Sequence, residues 1–505
     1  ISIISSLWGA FLTDISVVLI QPDGSELHCF TSGDEYYAWL HDVDGHPIIQ
    51  SQEDGYYYYG QREGNLLKPS SFRADNILSR NKSFVKWSGV TPAAYKKRRQ
   101  RYWSGIELFD APSIGTINNI NIFIRFSDEA EFRFNCKDYD DPFNKEDGPS
   151  LYHYFYEVSY ELLTVNTHHF PDCNIGSSNL SYQDEFPRAY YQPYNEITNP
   201  EGYVDCWDGN EDPEGFNCSD FPESQYGYIR EHILLKKAIE SIVGQIPSDL
   251  DVDGNDDLLV DNVTFLVNGG PTGWSDLLWP HRWSLTTYDV YINDSKVDAY
   301  NLNLLSGNPS YFTVGTLCHE FFHSLGGPDL YHYVESATPT PVGGWDLMEQ
   351  SSDTPQYMSA WMKYRYANWL DCILIESGGT YALKPLQKQE NSCYIIKSPY
   401  SESQFFTVEY RKREGIYESN LNLPGNEDGL LVYRINLDIN NNGILDTAEV
   451  NDSWNGTIGG NADGPPDEVY LYRPGGTSLL NGNLLEATFN SESGKIKLND
   501  GTDPS

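Results

Sequence analysis

HEFFHSLGGPD, residues 319–329, sets two histidines four apart with a glutamate between them, and the rest of the chain is best read outward from it. In an α-helix, positions i and i+4 share a face, so His319 and His323 can offer imidazole nitrogens to one metal ion, at about 2.0–2.1 Å if the ion is zinc. Glu320 projects beside that ion, where it can accept a proton from a metal-activated water. Chance produces such a spacing in ordinary chains, and the residues beyond it specify more. Gly326 can adopt left-handed backbone, end the helix and swing the chain back, which brings Asp329 toward the same ion as a third, carboxylate ligand. His332 is the alternative third ligand, and the glycine-turn spacing favours Asp329. Three protein ligands leave a fourth position open, the arrangement of a catalytic rather than a structural zinc site.

The bulk properties bound the function. A chain of 505 residues suggests roughly three domains. Its 33 Lys+Arg against 73 Asp+Glu give a formal charge of -40, which repels nucleic acid and anionic lipid and suits loops that hold hard divalent cations. Eight cysteines fit an oxidising compartment, with Cys206–Cys218 and Cys372–Cys393 as the expected bridges. Sequons at Asn81, Asn179, Asn217, Asn262, Asn293, Asn451 and Asn455 fit surface loops of a glycosylated, secreted protein, although Asn-rich turns also produce them by chance. The apolar opening ISIISSLWGAFLTD lacks a basic start and is too short to span a bilayer, so the chain reads as already processed, without a membrane span.

Along the chain, residues 15–60 carry short β-rich runs separated by PDG, VDG and EDG turns. YKKRRQRYW then gathers Lys96, Lys97, Arg98, Arg99 and Arg101, either a solvated patch or a protease-sensitive linker. TINNINIFIRFSD reads as a buried strand, SLYHYFYEVSYELL and REHILLKKAIESIV as helices, VDNVTFLVNGG as a strand, and TVGTLCHEFFHSLGG as a helix stopped by glycine. After ANWL, alternating strands at about ten-residue spacing predict a β-sandwich. The expected architecture is α+β: an N-terminal β-rich module and linker over 1–101, a catalytic domain over 102–372 and the sandwich over 373–505.

HEFFHSLGGPDLY resembles the long zinc-binding motif of the immune inhibitor A family of secreted metallopeptidases, in which aspartate replaces the third histidine of the metzincin pattern. GTINNINIFIRFSD, SLYHYFYEVSYELLTV, LLWPHRWSL, GGWDLMEQ and GLLVYRIN resemble that family in the same order, so the likeness covers most of residues 113–440. QPDGSELHCFTSGDEYYAWLHD resembles its propeptide. Phe322 departs from the family's commoner glycine. The resemblance implies a metzincin-like zinc endopeptidase acting on proteins or peptides; charge then assigns Glu320 to take a proton from water and deliver it to the leaving amine, and a monomer is expected. It also implies a Met-turn, with Met348 as the apolar floor beneath the metal, and an oxyanion donor, for which Tyr357 and His281 are candidates. Substrate would lie extended along an edge strand. Asp346 and Glu349 read as supporting or surface groups. The reading from another class is an inactive scaffold or adhesion protein that binds calcium; a retained Glu320 argues against it, because a structural zinc site needs no base.

Two further expectations concern latency and calcium. Cys29 is either a thiolate that blocks the zinc until cleavage near KKRRQR, or a buried thiol or disulfide partner. Asp438, Asn440, Asn442, Gly443, Asp446 and Glu449 fall at positions 1, 3, 5, 6, 9 and 12 of an EF-hand-like loop, with the Ile444 carbonyl at 7. Asp249, Asp251, Asp253 and Asp257 open a second such loop that lacks an acid at position 12. One or two structural Ca2+ ions are therefore expected beside one Zn2+.

Overall fold

The computed structural model describes residues 12–34, 37–63, 66–75, 111–133, 136–172, 181–206, 216–269, 277–305, 313–332, 339–419, 428–437, 459–461, 465–477, 479–499 and 501–503. The basic run at 96–101 and the EF-hand-like loop at 438–449 lie outside the described residues.

Turn-forming triplets between short apolar runs make neighbours pair with neighbours, and the N-terminal sheet does this throughout. β1 (Leu12–Ile20), β2 (Glu26–Gly33), β3 (Ala38–His41), β4 (Pro47–Gln50), β5 (Tyr57–Glu63) and β6 (Leu66–Arg73) lie in sequence order, all antiparallel. Period-2 alternation buries Val17, Leu19, Leu27, Cys29, Leu40, Ile48 and Tyr59 together.

The next sheet is built differently. β7 (Gly115–Arg125) is buried almost throughout, as the continuous INIFIRF run requires of a strand covered on both faces. It is followed by α1 (Cys136–Asn144), α2 (Leu151–Val158), β8 (Leu163–Phe170), the short β9 (Tyr182–Gln183) and α3 (Gly227–Ile242). Then come β10 (Val263–Asn268), β11 (His281–Ser284), the hairpin β12 (Tyr291–Ile292) and β13 (Ser295–Lys296), and β14 (Ala299–Leu305). The order is β11-β14-β10-β7-β8, with β14, β10, β7 and β8 mutually parallel, β11 antiparallel at the edge and β9 pairing the end of β7. One face packs Ile120, Ile122, Val263, Phe265 and Leu302 against Leu234, Ala238 and Ile239 of α3. The other packs Ile117, Phe123 and Leu266 against α2 and against α4 (Val314–Ser324), the helix that carries HExxH. Helices on both faces of a mostly parallel sheet make a mixed α/β layout, where strand and helix runs alone had suggested α+β.

After α5 (Ala360–Arg365), β15 (Ile373–Leu374), β16 (Cys393–Lys397), β17 (Gln404–Arg411), β18 (Gly429–Asn436) and β19 (Val469–Leu471) form one five-stranded sheet, with α6 (Gly415–Ser419) between β17 and β18. The expected sandwich is not what covers it. Among the described residues its inner face, with Leu431, Tyr433, Ile435, Val469 and Leu471, joins the same buried cluster as Phe321, Trp345, Met348 and Trp361, so the peptidase half occupies the place of a second sheet. One core thus draws on both sides of residue 372. The bridges Cys206–Cys218 and Cys372–Cys393 form as expected. No helix among the described residues is long and apolar enough to cross a membrane.

Candidate metal centre

The motif helix begins where Thr313 caps it, its side chain accepting from Thr316 N, and it ends as Gly326 takes φ +90° with its N–H on His323 O. The chain turns back so tightly that a Cβ on Gly327 would stand 2.1 Å from the Phe322 ring. Phe322 thus fills space against that turn and against Trp369. Beneath the helix, Asn301 Nδ2 donates to Glu320 O at 3.0 Å and Ser324 Oγ donates to Asn262 Oδ1 at 2.8 Å, which ties α4 to the sheet.

That anchorage brings His319, His323 and Asp329 together, with one ligand atom from each inside 4.8 Å of the others. His319 Nε2 and His323 Nε2 stand 3.0 and 3.4 Å from Asp329 Oδ1 and 3.2 Å from each other. The opposite nitrogens are committed: His319 Nδ1 donates to Leu347 O at 3.1 Å and His323 Nδ1 to Gly327 O at 2.7 Å. A carbonyl can only accept, so each ring carries its proton on Nδ1 and, when neutral, turns a lone pair inward. Two lone pairs and a carboxylate facing one another favour a positive charge among them, whether a proton or a bound cation. The electrostatics agree: burial opposes a charged His319, yet Asp329 overcomes it and lifts the pKa to about 9, while Asp329, despite burial, is held far below the usual carboxylate range by the two imidazoles. This donor set, two imidazoles and one carboxylate with carbonyls behind the rings, fits zinc.

Glu320, 1% exposed, has an Oε1 atom with no hydrogen-bond partner, and burial raises its pKa. Met348 is buried, accepts from Leu330 N through its carbonyl at 2.9 Å, and follows the residue whose carbonyl fixes His319. Asp346 accepts from Met348 N and Ser359 N, and Glu349 accepts from Val342 N and Gly343 N, so both shape this turn.

Other expectations are corrected. Tyr357 is spent elsewhere, its hydroxyl donating to Glu157 Oε1 at 2.5 Å. His281 is fully engaged, Nδ1 to Trp279 O at 2.7 Å and Nε2 to Glu231 Oε1 at 3.0 Å; burial opposes its protonation, but Glu231 outweighs burial and raises its pKa. Neither is free to donate to an oxyanion. His332 pairs with Asp467 at 2.6 Å and is no metal ligand. Cys29 lies inside the N-terminal sheet, 2% exposed, where burial pushes its thiol up to about 12; the buried-thiol alternative is the one realised. In the 249–257 loop, Asp251 and Asp253 accept from Asp253 N, Asp257 N and Leu258 N, and Asp257 accepts from Leu259 N. These carboxylates cap their own loop and do not converge, so calcium there is unsupported. A second three-donor group, Asp42, Asp44 and His46, lies in the β3–β4 turn, where Asp42 accepts from Asp44 N and His46 N. Asn262 is fully buried and donates to Asn119 Oδ1 at 2.7 Å, which removes it from the glycosylation sites.

Residues 260–363 match the family model described as immune inhibitor A peptidase M6, catalytic domain. This region is similar to the catalytic domain of the immune inhibitor A family. The match runs from just before β10 into α5 and includes all of HEFFHSLGGPD; the N-terminal and C-terminal sheets lie outside it. No curated protein matches the chain. The match supports a metallopeptidase acting on proteins, and it implies a metal, zinc being the natural candidate. Motif reading missed Asn301, which ties the motif helix to β14, and Asn461, which bonds the backbone at Asp329 and Leu330; neither carries a spacing signal that links it to the site.

Proposed function

We propose that this chain is a secreted zinc endopeptidase made in latent form. The observation that carries the reading is the convergence of His319 Nε2, His323 Nε2 and Asp329 Oδ1 beside a buried, unpartnered Glu320 Oε1. His319, His323 and Asp329 would hold the ion. Zinc, if held there, would supply Lewis acidity, bringing a water's pKa toward neutrality and polarising a carbonyl. Glu320 Oε1 accepts the proton released as that water attacks and returns it to the leaving nitrogen; burial makes the carboxyl a stronger base than it would be in water. Met348 closes the apolar floor and the Leu347 carbonyl holds the His319 ring. Substrate binds extended along β11, which among the described residues pairs only with β14 and so offers main-chain groups for strand addition.

The two bridges support an oxidising, extracellular compartment. Latency rests on the N-terminal sheet, whose Ile15 and Ala38 bury Trp279 two residues before β11. Glu196 N and Asn195 Nδ2 also bond Gln52 and Ser51, so the sheet is docked on the peptidase half.

Zinc content and casein cleavage after limited proteolysis test this. Glu320→Gln should retain zinc and lose at least about 10²–10⁴-fold in activity. A parent that binds zinc but cleaves no protein after the N-terminal sheet is removed would make the chain a scaffold instead.

A further inference from the structure

We propose that Asn461, in the C-terminal part of the chain, is a positioning residue for the metal site: it fixes the backbone that carries Asp329. The inference rests on the proposed reading of His319, His323 and Asp329 as the metal ligands, and it makes the C-terminal sheet part of that site.

The Asp329 loop has no helix or strand of its own, and both its sides are held by distant residues. On one side Leu330 N donates to Met348 O at 2.9 Å. On the other, Asn461 N donates to Asp329 O at 2.9 Å, and Asn461 Nδ2 donates to Leu330 O at 2.9 Å. The Asn461 amide cannot turn away, because Nδ2 also donates to Val469 O at 2.8 Å and Oδ1 accepts from Val469 N at 3.0 Å, and the residue is 1% exposed. Every hydrogen-bonding group of the side chain therefore points to β19 or to the ligand loop.

The approach is close enough to demand glycine next door. Gly460 has φ +78°, and a Cβ there would stand 2.3 Å from Asp329 O and 2.8 Å from Pro328 Cβ. Glu468 holds this glycine in turn: Oε2 accepts from Gly460 N and from Tyr366 OH at 2.6 Å, and Oε1 accepts from Trp361 Nε1 at 2.7 Å. His332 is drawn to Asp467 of the same segment. With the carbonyls of Asp329 and Leu330 both pinned, the ligand carboxylate is left only its own two side-chain torsions. A ligand held this way binds without first ordering its loop, and outer partners of this kind typically contribute 10–100-fold in metal affinity.

The experiment titrates metal-free protein with zinc against a chromogenic chelator and records the rise in Tm on zinc addition. Asn461→Ala and the milder Asn461→Ser are compared with the parent. Leu431→Ala serves as control, since it empties the core of the same sheet without removing any hydrogen bond to the ligand loop. We expect zinc affinity about 10–100-fold weaker in the Asn461 variants, with a smaller zinc-induced rise in Tm, whereas Leu431→Ala lowers Tm with and without zinc alike and keeps the parental affinity. If Asn461→Ala does not fold, Asn461→Ser decides by the same readings. Parental zinc affinity in a folded Asn461 variant would overturn the inference, as would an equal loss of affinity in Leu431→Ala. A parent that binds no zinc at all would overturn the metal reading itself, and that is seen before any variant is compared.

Discussion

Single residues show where chemistry types could be read in the chain and where their surroundings could not. His319, Glu320, His323 and Asp329 were legible because helix periodicity and one glycine turn suffice to bring them together within eleven residues. His281 and Tyr357 had plausible chemistry, but their donors are taken by the nearby Trp279 O and by Glu231 and Glu157, partners far away in sequence. His232 illustrates a group whose role is set wholly by burial. It is fully buried, its Nδ1 lies 2.6 Å from Thr287 Oγ1, its Nε2 has no partner, and burial lowers its pKa to about 4. The unfolded chain takes up this proton near pH 6.5 and the folded chain only near 4, so between those values the unfolded state binds more protons and stability falls as pH falls. Denaturant melts at pH 7 and pH 4.5 should show a loss to which His232 contributes up to about 3 kcal/mol, and His232→Gln should lack that component. An identical pH dependence in parent and variant would contradict the assignment.

At the scale of elements, the motif helix and its stop were readable, since cap, apolar face and glycine all agree on one structure. The tight return at Gly327 gives a double-mutant test. Gly327→Ala should cost about 1–3 kcal/mol by driving a methyl group into the Phe322 ring, and in a Phe322→Ala background that extra cost should largely disappear. Additive losses, measured by urea unfolding, would mean that the ring is not the obstacle. The 249–257 loop teaches the opposite lesson. Its spacing matched a calcium loop, yet the same Asp side chains satisfy nearby backbone N–H groups, and spacing alone does not distinguish the two uses. Alternation in β17 and β18 correctly announced one buried face but carried no information about what covers it, and a second sheet was the ordinary guess.

For the whole molecule, that cover is the peptidase half. Arg411 from β17 reaches Trp345 O at 2.8 Å and pairs with Glu418, whose Oε1 accepts from Tyr357 N, while Ala360 N donates to Glu409 Oε2 at 2.6 Å. A chain cut at residue 372 leaves these peptidase groups unpaired and strips Tyr417, Leu431, Tyr433, Ile435 and Val469 from the shared core. Residues 102–372 expressed alone should therefore show no cooperative unfolding transition by calorimetry, and a sharp transition within a few degrees of the full chain would refute the shared core.

The strand orders also differ in what they ask of a growing chain. The N-terminal sheet pairs each strand with the next and is complete once residue 73 has been made. The peptidase sheet sets β7 between β8 and β10 and needs β14, so it cannot close before residue 305. At usual synthesis rates the interval is on the order of ten to forty seconds. Low contact order lets the first sheet settle early, while the slower, long-range sheet assembles against a neighbour that is already folded and that presents Ile15 and Ala38 to the arriving Trp279.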